Sequence, residues 1–151
     1  MYANTHAQRN ALHRTGGLYQ QVGVETSVST ATPHQLVALL FDGFLEAVAQ
    51  ARGAMREGRV EAKAQALGRA MGILVEGLRG GLDLQGGGAL ARDLDELYGY
   101  LSMRLTMANL RNDDAALQEC QRLVQPLREA WTAIGQTPDA ALAASLAGLR
   151  A

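Results

Sequence analysis

Leu82 to Leu97 reads LDLQGGGALARDLDEL, three consecutive glycines between leucine-rich flanks. A run of this kind can cradle a phosphate, hinge a lid, or end one helix and begin the next. A phosphate loop needs a lysine and a hydroxyl after its last glycine. Here Ala89 and Leu90 follow, and Lys63, the only lysine, lies elsewhere. The dinucleotide fingerprint needs a preceding strand, and no segment of the chain alternates with period two. Gly86, Gly87 and Gly88 are therefore expected at a helix–helix corner, where glycine takes positive φ without strain.

On both sides of this corner the apolar residues recur at spacings of three and four, the mark of a helix with one buried face. Leu90, Leu94, Leu97, Leu101, Leu105 and Ala108 form one seam downstream; Val60, Ala64, Leu67, Met71, Leu74 and Leu78 form another upstream. Leu117, Cys120, Val124, Leu127, Trp131 and Ile134 repeat the pattern near the end. Thr32-Pro33 reads as an N-cap with proline at the first helical position. That helix should run to about Glu57 with Gly58 as its stop, the next from about Val60 to the low eighties, the third from about Ala89 to Arg111. Asn112 or Asp113 can cap a fourth that ends by Gly135, and Pro126 should kink it or loosen one turn. Short connections imply antiparallel neighbours, so the expected fold is all-α, an up-down four-helix bundle over residues 32–135. Residues 1–31 read as a polar N-terminal arm or short helix with the apolar points Leu18, Tyr19, Val22 and Val24. Residues 136–151 read as an alanine-rich tail, a short helix capped by Thr137-Pro138 or a disordered end.

Composition excludes several classes of function. A formal net charge of −1 over 151 residues gives no basic face with which to displace counterions, so no nucleic-acid partner is expected. The longest apolar run, Leu36 to Phe41, is far short of the roughly 20 residues of a membrane span, so no membrane insertion is expected. Cys120 stands alone, which fits a reducing compartment. The N-terminal MYANTHAQRN has no apolar signal core, which points to the cytoplasm.

The candidates for chemistry are weak. His6, His13 and His34 are not spaced as metal ligands, and there is no Glu-x-x-His pair for a di-metal bundle site. His34 could accept a phosphoryl group in a phosphotransfer bundle, but in the first turn beside a proline it reads more simply as a solvent-facing residue. Cys120 lies on an apolar seam, the place of an inert buried thiol. Asp93, Asp95 and Glu96, like Asp113 and Asp114, suit the positive ends of their helices. The expectation is a chain with no enzymatic activity, no cofactor and no metal.

A surplus of apolar surface needs explaining instead. In LVALLFDGFLEAV, Leu36, Leu39, Leu40, Gly43 and Ala47 can face the core, which leaves Val37, Phe41, Leu45 and Val48 on a second stripe. In the third helix, at about 100° per residue, Tyr100, Met103, Met107 and Leu110 lie roughly opposite the leucine seam. A wrapping arm or a homodimer can cover such stripes. The alternative is a groove for an amphipathic partner helix, and methionine favours it because a flexible thioether repacks around different contacts.

The segment YQQVGVETSVSTATPHQLVALLFDGFLEAVAQAR resembles the opening of the flagellar secretion chaperone family FliS, with its tyrosine-bearing arm, Ser/Thr-Pro-His-x-Leu helix start and Leu-Tyr/Phe-Asp-Gly element. LDLQGGGALARDLDELYGYLSMRLTMANLRND is similar to its second hallmark, and LREAWTAI to its last helix. The resemblance covers about Tyr19 to Ile134 and has no counterpart for residues 1–18 or the tail after Gly135. It implies a cytoplasmic chaperone that binds the disordered C-terminal segment of flagellin, prevents premature polymerisation and keeps the subunit ready for type III export. The export gate and a further flagellar regulator are implied as additional partners; monomer and homodimer both remain open. A bundle holding a different flagellar client is the alternative.

Residue by residue, the resemblance places Tyr19, Val22 and Val24 in an arm that can cover part of the groove. Leu36, Leu40, Phe41 and Leu45 match the first hallmark, and Tyr98, Tyr100, Arg104, Leu105 and Asn109 the second. Leu36, Leu40 and Leu105 are expected in the core. The expected client-binding set is Tyr19, Val22, Val24, Val37, Phe41, Leu45, Val48, Tyr100, Met103, Arg104, Met107 and Asn109. Departures from the pattern are Phe41 for a common tyrosine, Gln85 and Gly88 for acidic residues around the glycines, and Leu101 and Met103 for Met and Arg.

Overall fold

The computed structural model describes residues 30–136, which form an all-α bundle of four helices with no strand among them. Helix α1 spans Pro33–Arg56; α2 spans Val60–Gly72 and continues as a π-helical stretch, Ile73–Arg79. Helix α3 spans Gly88–Arg111 and α4 spans Asp114–Gln136. Each helix packs on its successor and α4 returns to α1, which closes the ring. The start of α1, the end of α2 and the end of α4 therefore share one end of the bundle. Tyr19, Val22, Val24, the rest of the expected arm up to residue 29 and the tail beyond Gln136 lie outside the described residues.

The chain fixes these helices with short-range devices. Thr32 Oγ1 accepts from the Gln35 amide at 3.1 Å while Gln35 Oε1 accepts from the Thr32 amide at 2.9 Å, a reciprocal cap ahead of Pro33. Losing such a cap costs about 1 kcal/mol. Of the two expected caps between α3 and α4, each serves one helix. Asn112 closes α3 in the left-handed conformation at φ 51°, and Asp113 Oδ1 accepts from the Ala116 amide at 3.2 Å. In the glycine corner only Gly88 has a positive φ, 66°; Asp83 Oδ1 accepts from the amides of Gln85 and Gly86 and tightens the turn before it.

Phe44, Val48, Ile73, Leu74, Leu101, Leu105, Leu117, Cys120 and Val124 are the largest fully buried side chains. Most of the α3 seam is as expected, with Leu101, Leu105 and Ala108 buried and Leu94 and Leu97 packed against the core, but Leu90 is only half-buried and Ala91 and Tyr98 are buried instead. In α2, Val60 and Ala64 are exposed, and the buried face of the first turns is Lys63, Ala66, Leu67 and Ala70. Alanines face each other between α1 and α2 (Ala54 and Ala66 line the same groove), so these two helices approach closely. Gly77 extends that approach: a Cβ there would stand 2.9 Å from Leu40 Cδ2.

The expected phase of α1 is corrected. Phe41 and Val48, placed by sequence on an outer stripe, are buried at 3% and 0% exposure, while Leu36, expected in the core, is 36% exposed. Phe44 sets the rotation. Burying Phe41, Phe44, Val48 and Ala51 together removes more apolar area from water than burying Leu36, Leu39 and Leu40, and area decides. Pro126 does not end α4, which remains helical through Gln136.

Arginine–carboxylate pairs bind the helices laterally. Arg52 grips Asp114 at 2.8 and 3.0 Å, and Arg128 meets Asp42 at 2.7 Å, both between α1 and α4. Arg79 meets Asp95 at 2.7 Å between α2 and α3. All are part-exposed, where water screens an ion pair, so each contributes little to stability. They align the helices more than they hold them together.

Candidate binding surface

The second stripe on α3 is where its periodicity places it. Tyr100, Met103 and Leu110 are 38%, 52% and 73% exposed, and Met107 is half-buried between them. Their spacing of three, four and three residues aligns them over about 15 Å of helix. An apolar row of this spacing is what an amphipathic partner helix packs against.

One edge of the row is fixed by charge. The Tyr100 hydroxyl donates to Glu119 Oε2 at 2.7 Å, and Arg104 Nε donates to Glu119 Oε1 at 2.7 Å. The Tyr100 hydrogen bond, then Arg104, hold the Glu119 carboxyl below its usual range; Glu119 in turn raises both Tyr100 and Arg104. The tyrosine ring is thereby tethered to α4 instead of swinging free, which preorganises the row. Arg104, expected as a client contact, is already engaged by this carboxylate. Sequence reasoning does not single out Glu119. Its signal is the pair Tyr100 and Arg104, a donor and a cation one turn apart on an outer face.

On α1, Leu45 is half-buried at the rim of a depression of about 470 Å³ lined on α4 by Gln121, Arg122, Gln125, Pro126 and Glu129. Since proline has no amide hydrogen, Pro126 leaves the Arg122 carbonyl without its usual helical donor. Glu119 turns toward α3 and Gln121 toward Arg52 of α1, so the α3 row and the depression lie on the two flanks of α4. Val37 is half-buried and packs against the core, and Phe41 and Val48 are inside it. The Asn109 carbonyl accepts from Lys63 Nζ at 3.1 Å, so this residue has a part in closing α3.

The other chemical candidates have packing roles. The His34 ring lies on Trp131 with centroids 4.7 Å apart and planes at 9°, and Trp131 Nε1 donates to the His34 carbonyl at 2.9 Å. Burial pushes the Cys120 thiol up to about 11, far from a reactive thiolate. Among the described residues no group of three His, Cys, Asp or Glu side chains is placed to hold a metal ion, and no helix is long and apolar enough to cross a membrane.

Residues 15–138 match the family model for the flagellar protein FliS. The chain is 47% identical over 116 residues to the flagellar secretion chaperone FliS of Salmonella typhimurium, an alignment covering 77% of this chain and 86% of that protein. It is 46% identical over 116 residues to the flagellar secretion chaperone FliSB of Pseudomonas aeruginosa, covering 77% and 91%. With FliS of Bacillus subtilis it shares 33% over 113 residues, covering 75% and 80%. By this match and these identities the chain belongs to the FliS family of flagellar secretion chaperones.

Proposed function

We propose that this chain is a cytoplasmic export chaperone that binds the C-terminal segment of flagellin as a helix along Tyr100, Met103, Met107 and Leu110, and continues it over α4 toward Leu45. The observation that carries the reading is the exposed apolar row on α3, with its tyrosine fixed by Glu119, in a chain of this family. A client that is disordered when free must order on binding, so its apolar face has to supply the driving force. A shallow row three turns long suits that task better than a deep pocket, because an extended client can use the whole side of the bundle. Covering the client's assembly segment would hold it back from polymerisation until export, and the export gate and a flagellar regulator would meet other faces.

Calorimetry with a synthetic flagellin C-terminal peptide tests this. One-to-one binding, with a gain of peptide helicity by circular dichroism, is expected. Met103→Asp and Leu110→Asp each weaken it by about tenfold or more, since each removes an apolar contact worth about 1.5–3 kcal/mol when buried. Both residues are exposed, so the variants keep the wild-type melting curve. Unchanged affinity in both variants would refute the α3 row as the client surface.

A further inference from the structure

The outer face of α2 divides into two flanks. On one, Lys63 donates to the Asn109 carbonyl and to Asn112 Oδ1 at the end of α3. At about 100° per residue, Val60 lies about 60° outward of Lys63, and Met71 and Ala64 lie within about 40° of Val60. Val60 and Ala64 are exposed, Met71 is half-buried, and Val75 further along is exposed. The polar residue Arg69 turns to the other flank, where it donates to Gln50 of α1. On α3, Met103 and Leu110 fall within about 40° of Gly99, on the side that faces α2: a Cβ at Gly99 would stand 3.2 Å from Arg79 Nη2, and Arg79 also meets Asp95. The groove between the two helices is therefore walled by Val60, Ala64, Met71 and Val75 on α2 and by Met103 and Leu110 on α3, none of them charged.

We propose that the client helix lies in this groove, with α2 as its second wall, and seats one large apolar side chain over Gly68. The two helices run antiparallel, and the contacts of Lys63 and Arg79 fix their register: Ala64 comes level with Leu110, and Met71 with Met103. Gly68 is exposed between these two levels, and a Cβ there would meet no atom within 4 Å. Glycine inside a helix is unfavourable beside alanine, and nothing in the bundle packs on this one. The room it leaves opens outward, between two pairs of apolar side chains. Continuity and charge choose the occupant. Met103 and Leu110 already belong to the client row, and uncharged walls fit the apolar face of a helix, whereas a charged segment would lose its water there. The inference rests on the client reading and adds to it a wall and a point of entry.

Three glutamate variants of α2 in the full chain test it, by calorimetry with the synthetic flagellin C-terminal peptide. Gly68→Glu and Ala64→Glu place a carboxylate in the groove and should each weaken binding about tenfold or more. Gln65→Glu adds the same charge one residue away, toward α1, and should leave affinity within about twofold. All three positions are exposed, so the melting curves should hold, and Gly68→Glu should melt no lower than the parent because glycine is the poorer helix former. Unchanged affinity in Gly68→Glu and Ala64→Glu, with Met103→Asp still weakening it, would overturn the second wall and leave the α3 row standing. Equal weakening by Gln65→Glu would overturn it too, as would a free chain that sediments as a dimer and becomes a monomer in Gly68→Glu, which would put a second copy in the groove. A parent chain that does not bind the peptide would overturn both this inference and the client reading.

Discussion

Replacing Lys63 by methionine tests how the bundle closes the end of α3. Among the described residues Lys63 is the one charged side chain that is buried, 6% exposed, and its ammonium donates to the Asn109 carbonyl at 3.1 Å and to Asn112 Oδ1 at 2.6 Å. Both acceptors belong to the last turn of α3, where carbonyls lack helical partners and the dipole favours a cation. Methionine keeps most of the stem volume and removes the donors and the charge. Hydrogen bonds from a charged group contribute about 1.5–3 kcal/mol net, and the dipole about 0.3–1. Against these stands the desolvation of the ammonium, which the variant no longer suffers. The acceptors sit at a helix end and only in part lose water, so the loss should exceed the relief, leaving Lys63→Met about 2 kcal/mol less stable. Urea unfolding followed by Trp131 fluorescence and far-ultraviolet circular dichroism measures this. Asn112→Gly keeps the left-handed φ and removes the side-chain acceptor, so the pair should couple by about 1 kcal/mol in a double-mutant cycle. A methionine variant as stable as the parent, or more so, would show that burial of the charge outweighs its bonds and refute the reasoning.

Phe41→Asp should abolish cooperative folding, because it buries an unpaired carboxylate in the core, whereas Leu45→Asp at the rim should lower stability by no more than about 2 kcal/mol; thermal melts separate the two. Asp114→Asn should lower stability at pH 7 by less than about 1 kcal/mol, since the Asp114 side chain is 36% exposed. The Arg52 hydrogen bond holds the Asp114 carboxyl below its usual range. Its stabilisation is therefore present above the unfolded carboxyl value and lost as pH falls through the folded one. The gap between variant and parent should then begin to narrow below about pH 4 and vanish once pH is below the folded value, read from urea midpoints across pH; a gap that does not narrow there contradicts the assignment.

The helices and their ends are legible because caps and corners are written locally: Thr32-Pro33, Gly58 and the glycine run each mark a boundary with two or three residues. The outer row on α3 is legible as well, because its core seam is a single unbroken line of leucines. The phase of α1 is not. Almost every position from Leu36 to Val48 is apolar, so periodicity admits more than one rotation, and only the volume of Phe44 against the opposing helices selects one. Lys63 is hidden for the opposite reason. A lone lysine reads as solvated, and its partners, Asn109 and Asn112, lie more than forty residues away. The clamp on Glu119 likewise depends on two helices meeting.

The π-helical stretch of α2 has a consequence for how this chain tolerates change in length. There the Gly80 amide reaches back five residues to the Val75 carbonyl, at 2.9 Å. A turn of that kind holds one residue more than the α turn it replaces. Val75 and Glu76, on its outer side, are exposed. The second helix thus carries slack at a defined place: the loss of one residue there can be taken up by the turn tightening to ordinary α geometry, with the leucines above and the arginine below still meeting their neighbours.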